Sequence, residues 1–407
     1  MQMGRNRNLW YNGPAQLGLH KSEENAMSDP KGGPPLLLAT TPQELKRVCA
    51  AIATHREVAV DSESNALYAY QERICLIQLA VPGAEFIVDP VSGLDLAPLG
   101  ELMADPAVQK VFHAAQQDIA GLKRDLGFRF TNLFDTMWAA RILGWPHLGL
   151  ADILRERFGA HSDKRFQRAD WGTRPLSAEA LAYARMDVRY LLALRDQQQV
   201  ALRAAGQEEE AAEIMDQLTQ TPPANAAYGP DSFWRVKGVY DLEERERAAL
   251  WELYHWRDQV AQQRDRPPFK VLNDSTLIDL AVTRPRAARD LSQAGLKPHH
   301  ISRYGRALLA AIARGERGPI PHPPHRPRHS DDELARYEAL RTWRLTTATA
   351  RGVTSDVICS SAALWDLAER NPRTPEELTA IVDLGPWRRR TYGQEILEVL
   401  RSGNGRR

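Results

Sequence analysis

The apolar positions of the chain change period several times. In PQELKRVCAAIA (42–53), Leu45, Val48, Cys49 and Ile52 recur at i, i+3, i+4 and i+7, which predicts a helix. Three short runs follow, VAVDSES (58–64), ICLIQLA (74–80) and EFIVDP (85–90). Each is rich in β-branched residues and bounded by turn formers, so each predicts a strand. Helical spacing returns in KVFHAAQQDIAGL (110–122), FDTMWAARILG (134–144) and LAYARMDVRYLLAL (181–194). Strands followed by mixed strands and helices imply an α/β domain with a mixed sheet, placed at 36–205.

Beyond it the pattern is helical. Residues 206–235 begin acidic, break at Thr221-Pro222-Pro223, and are expected to form a helical linker. Two blocks, 236–316 and 331–402, then repeat one another. Trp256-Arg257 matches Trp343-Arg344, Asp279-Leu280-Ala281 matches Asp366-Leu367-Ala368, and Pro285-Arg286 matches Pro372-Arg373, each 87 positions on. Tyr304-Gly305 and Tyr392-Gly393 lie 88 apart, one insertion later. A constant offset over separate matches marks a tandem duplication of a small helical domain. Between the copies, residues 317–330 are rich in Pro, Arg and His and read as an extended, solvated linker rather than a metal site. Residues 1–35 are polar and expected to be a disordered leader, with Met27 an alternative start.

Composition narrows the class. At 407 residues, with 43% hydrophobic and 26% charged residues, the chain suits two or three folded domains. Its 53 Lys+Arg against 52 Asp+Glu give a net charge of +1, so nucleic-acid binding must come from local patches. Three scattered cysteines make neither a disulfide framework nor a zinc motif. No apolar run is long enough for a membrane span, no secretory signal is evident, and the expectation is a cytoplasmic protein.

The chemistry concentrates in carboxylates. Acidic pairs one residue apart should arise about six or seven times by chance, so setting must select among them. Asp61 and Glu63 end an apolar run, and on a strand both would project from one face, with Val58 and Val60 on the other. Two acids so placed call for a positive partner, and a hard divalent cation suits oxygen ligands; a strand ending in solvent is the alternative. Asp118 lies beside the Val111, Ala115, Ile119, Leu122 stripe, where a surface acid is the bland reading. Tyr183 and Asp187, at i and i+4, share one helical face.

The order D-x-E, then D, then Y-x-x-x-D resembles the DEDD exonuclease superfamily in its tyrosine subclass, within it the ribonuclease D family. The matching stretches are VAVDSESN, FHAAQQDIAGL, FDTMWAARILG, RADWGTRPLS and LAYARMDVRYLLAL, and the repeated blocks resemble HRDC domains. The resemblance implies an α/β ribonuclease-H-like nuclease domain followed by two small all-α HRDC-like domains. It implies that Asp61, Glu63, Asp118 and Asp187 bind two divalent cations, Mg²⁺ or Mn²⁺, while Tyr183 orients the attacking water. The activity implied is 3′-to-5′ trimming of structured RNA such as tRNA precursors, releasing nucleoside 5′-monophosphates; RNA is the expected partner, and neither a membrane nor an obligate protein partner is inferred from the sequence. A 3′–5′ DNA exonuclease and a non-catalytic RNA-binding scaffold are the alternatives.

Six basic residues against three acids between Arg155 and Arg174, with Phe166 and Trp171, offer phosphate contacts and stacking surfaces. Within that stretch Lys164, Gln167 and Trp171 are the expected substrate-binding residues. His113, Trp138, Trp256 and Trp343 read as packing residues. Lys297, His299, His300, Arg303 and Arg306 in one repeat, and Arg388, Arg389 and Arg390 in the other, could meet phosphates or simply face solvent.

Overall fold

The computed structural model describes residues 26–27, 34–161, 164–225, 230–324 and 329–403. One sheet of seven strands organises the first domain: β1 (Ala26–Met27), β2 (Leu36–Ala39), β3 (Glu57–Ser64), β4 (Ile74–Val81), β5 (Ala84–Val88), β6 (Gln109–Phe112) and β7 (Leu133–Asp135). Their order across the sheet is β1-β2-β5-β4-β3-β6-β7. The meander β3-β4-β5 is antiparallel, whereas β2, β6 and β7 join as parallel neighbours, which makes the sheet mixed. The helix Pro42–Ala53 follows the spacing read above: Thr41 and Glu44 form its capping box, and Leu45, Val48 and Ile52 are buried.

Three expected helices begin or divide differently. In 110–122 the opening residues form β6, because Val111 and Phe112 are buried in the sheet and Lys110 turns its ammonium onto the Asp105 and Val108 carbonyls. Ala114, at φ 63°, then redirects the chain into the helix Gln116–Leu126. In 134–144, β7 precedes the helix Thr136–Ile142. The stretch 181–194 divides at Tyr190 into the helices Ala178–Arg189 and Leu191–Ala204. Short strands flanking buried helices carry apolar runs that fit either period.

The expected boundaries also shift. Residues 26–27, assigned to the leader, pair with β2 as an edge strand; 1–25 and 28–33 lie outside the described residues. Residues 206–235 do not form one linker. The helix Glu208–Thr219 buries Ala211, Ile214, Met215 and Leu218 in the core of the first domain, while Phe233 belongs to the next core.

The duplication is plain in the helices. Pro268–Val271 and Asp274–Thr283 recur as Ser355–Ile358 and Ser361–Arg370, 87 residues later. Trp256 meets Tyr304 edge-on at 5.3 Å, as Trp343 meets Tyr392 at 5.8 Å. Arg257 reaches the Leu272 carbonyl and Arg344 that of Cys359.

The copies dock differently. The first meets the loop after β3: the Tyr70 hydroxyl donates to Asp258 at 2.9 Å, and Lys270 sits over the Tyr68 ring at 3.8 Å. The second grips the acidic helix Glu208–Thr219. Arg351 pairs with Glu210, Arg388 with Glu213 and Arg390 with Glu209. Arg388 is buried and also bonds the Val357 and Ile358 carbonyls, while Arg389 bonds that of Leu384. All three arginines considered for phosphate contact are thus engaged within the protein.

Candidate active site

The centre of the sheet supplies the first two acids. Asp61 and Glu63 stand near the end of β3, both half-buried. The helix Ala178–Arg189 crosses the same face and brings Asp187 to them: one carboxylate oxygen of each of Asp61, Glu63 and Asp187 lies within 4.8 Å of the others. Asp118 enters from the opposite side. It accepts from the Ser62 backbone N–H at 3.1 Å and the Ser62 hydroxyl at 2.6 Å. The Tyr183 hydroxyl bonds to Asp187 one helical turn on. The five residues picked out as an ordered set in sequence therefore converge, three in one tight group and two tied to its members or neighbours.

Two residues that sequence reasoning passed over hold this arrangement. Ser62 is the residue of β3 that faces Asp118. Asp135, fully buried at the end of β7, accepts from the N–H groups of Ala114, Ala115, Met137 and Trp138. It thereby pins the positive-φ turn that aims the Asp118 helix and caps the helix Thr136–Ile142. Asp–Thr ahead of an apolar helix was a legible cap signal; the bond to Ala115 was not, because it links residues 20 apart.

Electrostatics favour a cation. Burial, then Asp118, Asp187 and Glu63, push the Asp61 carboxyl well above its ordinary range. Burial and the neighbouring acids raise Glu63 to about 8. Burial raises Asp118 and Asp187 to about 7, although hydrogen bonds from Ser62 and Tyr183 respectively hold them down. The Tyr183 phenol is pushed up by burial and the surrounding carboxylates, so it stays protonated. Clustered oxygen donors whose strongest charged neighbours are one another fit a hard divalent ion, which would relieve both desolvation and repulsion.

A cleft of about 200 Å³ opens beside the acids, lined among others by Glu63, Glu72, Asp118, Arg124 and Gln167. Gln167 is exposed at its rim. Trp171 also borders it but is only 1% exposed, and its ring lies 6.0 Å from that of Tyr183, with Phe166 on the tyrosine at 5.9 Å. The indole offers no free face for stacking a base; it backs the tyrosine. The side chain of Lys164 lies outside the described residues. Part of the basic stretch is structural, since Arg174 forks onto Asp89 at 2.6 and 2.7 Å. His113, bonded to Thr136 and pushed down to about 4 by burial, is a neutral packing residue.

The chain's likenesses agree with this geometry. A model of the 3′–5′ exonuclease family matches residues 37–203, and one of the HRDC domain matches 246–312 and 333–400. Ribonuclease D of Nitrobacter hamburgensis is 31% identical over 368 residues, 89% of this chain and 94% of that protein. The fold is similar to that of Escherichia coli RNase D, an exoribonuclease involved in structured RNA processing (TM-score 0.66, 24% identity, 90% of this chain and 99% of that one). It is similar also to the catalytic core of RRP6 from Trypanosoma brucei (TM-score 0.62, 26% identity, 72% and 83%). The exonuclease fold implies dependence on a divalent metal, and the acidic cluster supplies donors for it. With an exonuclease domain followed by two HRDC domains, and a ribonuclease D 31% identical over 89% of the chain, the chain belongs to the ribonuclease D family of 3′–5′ exoribonucleases.

Proposed function

We propose that the protein trims the 3′ ends of structured RNA such as tRNA precursors, by hydrolysis at two divalent ions, releasing nucleoside 5′-monophosphates. The observation that carries this reading is the convergence of Asp61, Glu63 and Asp187 within 4.8 Å, with Asp118 bound to the serine between the first two. Asp61, Glu63, Asp118 and Asp187 would hold Mg²⁺ or Mn²⁺, which would neutralise the phosphate and stabilise entering and leaving oxygens.

The chain's own groups do the rest. Tyr183, kept protonated, donates to Asp187, and its oxygen remains able to accept a hydrogen bond from the attacking water. It orients and does not abstract. Water oxygen adds to phosphorus, the bond from phosphorus to the 3′ oxygen of the preceding nucleotide breaks, and the proton that the water loses is made up, through solvent, on that leaving oxygen. Gln167 and Lys164 are assigned to the terminal nucleotide, and Trp171 acts through the tyrosine it supports.

The test is a 5′-labelled RNA with a structured 5′ part and a free 3′ tail, incubated with wild type and Asp61→Asn in Mg²⁺, Mn²⁺ or EDTA. A ladder shortening from the 3′ end, lost in EDTA and in the variant, is expected, and the same RNA labelled uniformly should give 5′-monophosphates on thin-layer analysis. Shortening that persists in the variant would overturn the site, and 3′-monophosphate products would overturn the bond assignment.

A further inference from the structure

Among the buried polar groups of the described residues, Gln78 stands apart. It sits in the middle of β4, is 0% exposed, and neither its amide oxygen nor its amide nitrogen has a hydrogen-bond partner. Such groups are rare and call for a reason, because an apolar side chain of the same length would fill the space without desolvating an amide.

The sheet register supplies one. Gln78 is directly opposite Asp61 on β3 and opposite Ile87 on β5, and Ile87 in turn faces Leu38 on β2. Paired residues project from the same face, so Leu38, Ile87, Gln78 and Asp61 form one row. Over this face lies the helix Ala178–Arg189, whose Leu181 and Ala184 share an apolar cluster with Leu76 and Ile87. The polar neighbour in the row is therefore Asp61. Directly opposed cross-strand residues have Cβ atoms about 4.5–5.5 Å apart, a gap that a glutamine side chain spans.

We propose that Gln78 is a positioning residue for Asp61: its amide N–H group, unbonded here, turns to donate to the ionised carboxylate when Asp61 takes up a cation, and so fixes the direction in which Asp61 presents its ligand oxygen. A donor is what the place requires. It stabilises the ionised form of a dehydrated carboxylate without adding a charge that would compete with a cation, as Lys or Arg there would. Holding a ligand by a neighbour that does not itself touch the metal is a general way of setting ligand orientation. The inference rests on the metal-site reading of Asp61.

The experiment compares full-length wild type, Gln78→Met and Gln78→Leu. Three quantities are read: thermal unfolding in EDTA, binding of Mn²⁺ alone followed by electron paramagnetic resonance, and kcat and KM on the 3′-tailed RNA. Both variants should unfold at or above the wild-type temperature, since each removes an unsatisfied amide. Mn²⁺ affinity should fall roughly tenfold, within the range found when such supporting bonds are lost, and kcat should fall with KM unchanged. Wild-type Mn²⁺ affinity and kcat in both variants would overturn the role. So would a loss of more than about 10 °C in both, because it would make Gln78 a structural residue. Should wild type itself neither bind Mn²⁺ nor trim RNA, the metal-site reading fails instead, and Gln78's role fails with it.

Discussion

Asp118 takes both hydrogen bonds that Ser62 can donate, one from the backbone and one from the hydroxyl, and Ser62 stands between Asp61 and Glu63 in the chain. One serine thus fixes how far the helix acid sits from the strand acids. In Ser62→Ala the hydroxyl bond is lost, and the Asp118 carboxyl, already raised to about 7 by burial, rises further. The acid limb of the kcat profile should move to higher pH, and kcat at its plateau should fall by about tenfold, the worth of one charge-assisted hydrogen bond. A profile that overlays wild type from pH 5.5 to 9 would refute this.

Metal binding should be coupled to proton release. Glu63 at about 8, and Asp118 and Asp187 at about 7, hold protons at neutrality that a cation must displace. Affinity for Mn²⁺ should therefore climb from pH 6 to 8.5. Calorimetry in buffers of different ionisation enthalpy would count the protons, and a buffer-independent heat would contradict the coupling.

The same groups set a stability slope of opposite sign. Their folded-state pKa values lie above those of the unfolded chain, so the native state holds more protons. In EDTA, their contribution to stability should be fully present below the ordinary carboxylate range of about 4 to 4.5 and be lost as pH rises through about 7 to 8. Added Mg²⁺ should recover it at high pH. Melting temperatures between pH 5 and 8.5, with and without metal, test both halves.

Tyr183 and Trp171 should separate chemistry from support. Tyr183→Phe keeps the ring contacts with Phe166 and Trp171 but removes the hydroxyl, so kcat should fall by about 10²-fold with little change in stability. Trp171→Ala empties a buried site and should cost about 3–5 kcal/mol of stability while displacing the tyrosine. Chemical denaturation and single-turnover rates on both variants distinguish the two effects; a stable, fully active Trp171→Ala would refute the support role.

Arg388 and Glu213 form an inter-domain ion pair with side chains only 4% and 7% exposed. Removing one partner strands the other, so Glu213→Ala should weaken docking of the second HRDC domain by about 3–5 kcal/mol. Small-angle scattering should report expansion, while cleavage of a short unstructured RNA stays near wild type. Unchanged scattering would show that the remaining contacts suffice.

The sequence made the carboxylate order and the duplication legible because both depend on local spacing. Asp61 and Glu63 alternate on one strand; Tyr183 and Asp187 share a helical face; the repeat keeps a constant offset. What escaped was non-local. Lys110-Val111-Phe112 reads as helix until the sheet claims Val111 and Phe112, and only the register places Lys110 over backbone carbonyls. Trp171 looked like a stacking platform because a sequence does not reveal that Tyr183 occupies its face. Arg388 and Arg390 looked free for phosphate for the same reason: Glu213 and Glu209, which they pair with, lie 175 and 181 residues away.

The outer strands carry a consequence for behaviour at high concentration. A sheet with bare edges is a template for another chain's backbone. Here β1 lies along β2 on one side, and on the other the helix Glu208–Thr219 comes so close to β7 that the Asp135 N–H points at the sulfur of Met215, 3.1 Å away. The helix that anchors the second HRDC domain thus also seals the margin of the nuclease sheet. A chain in which that helix is loosened would bare β7 to pairing with the backbone of another chain.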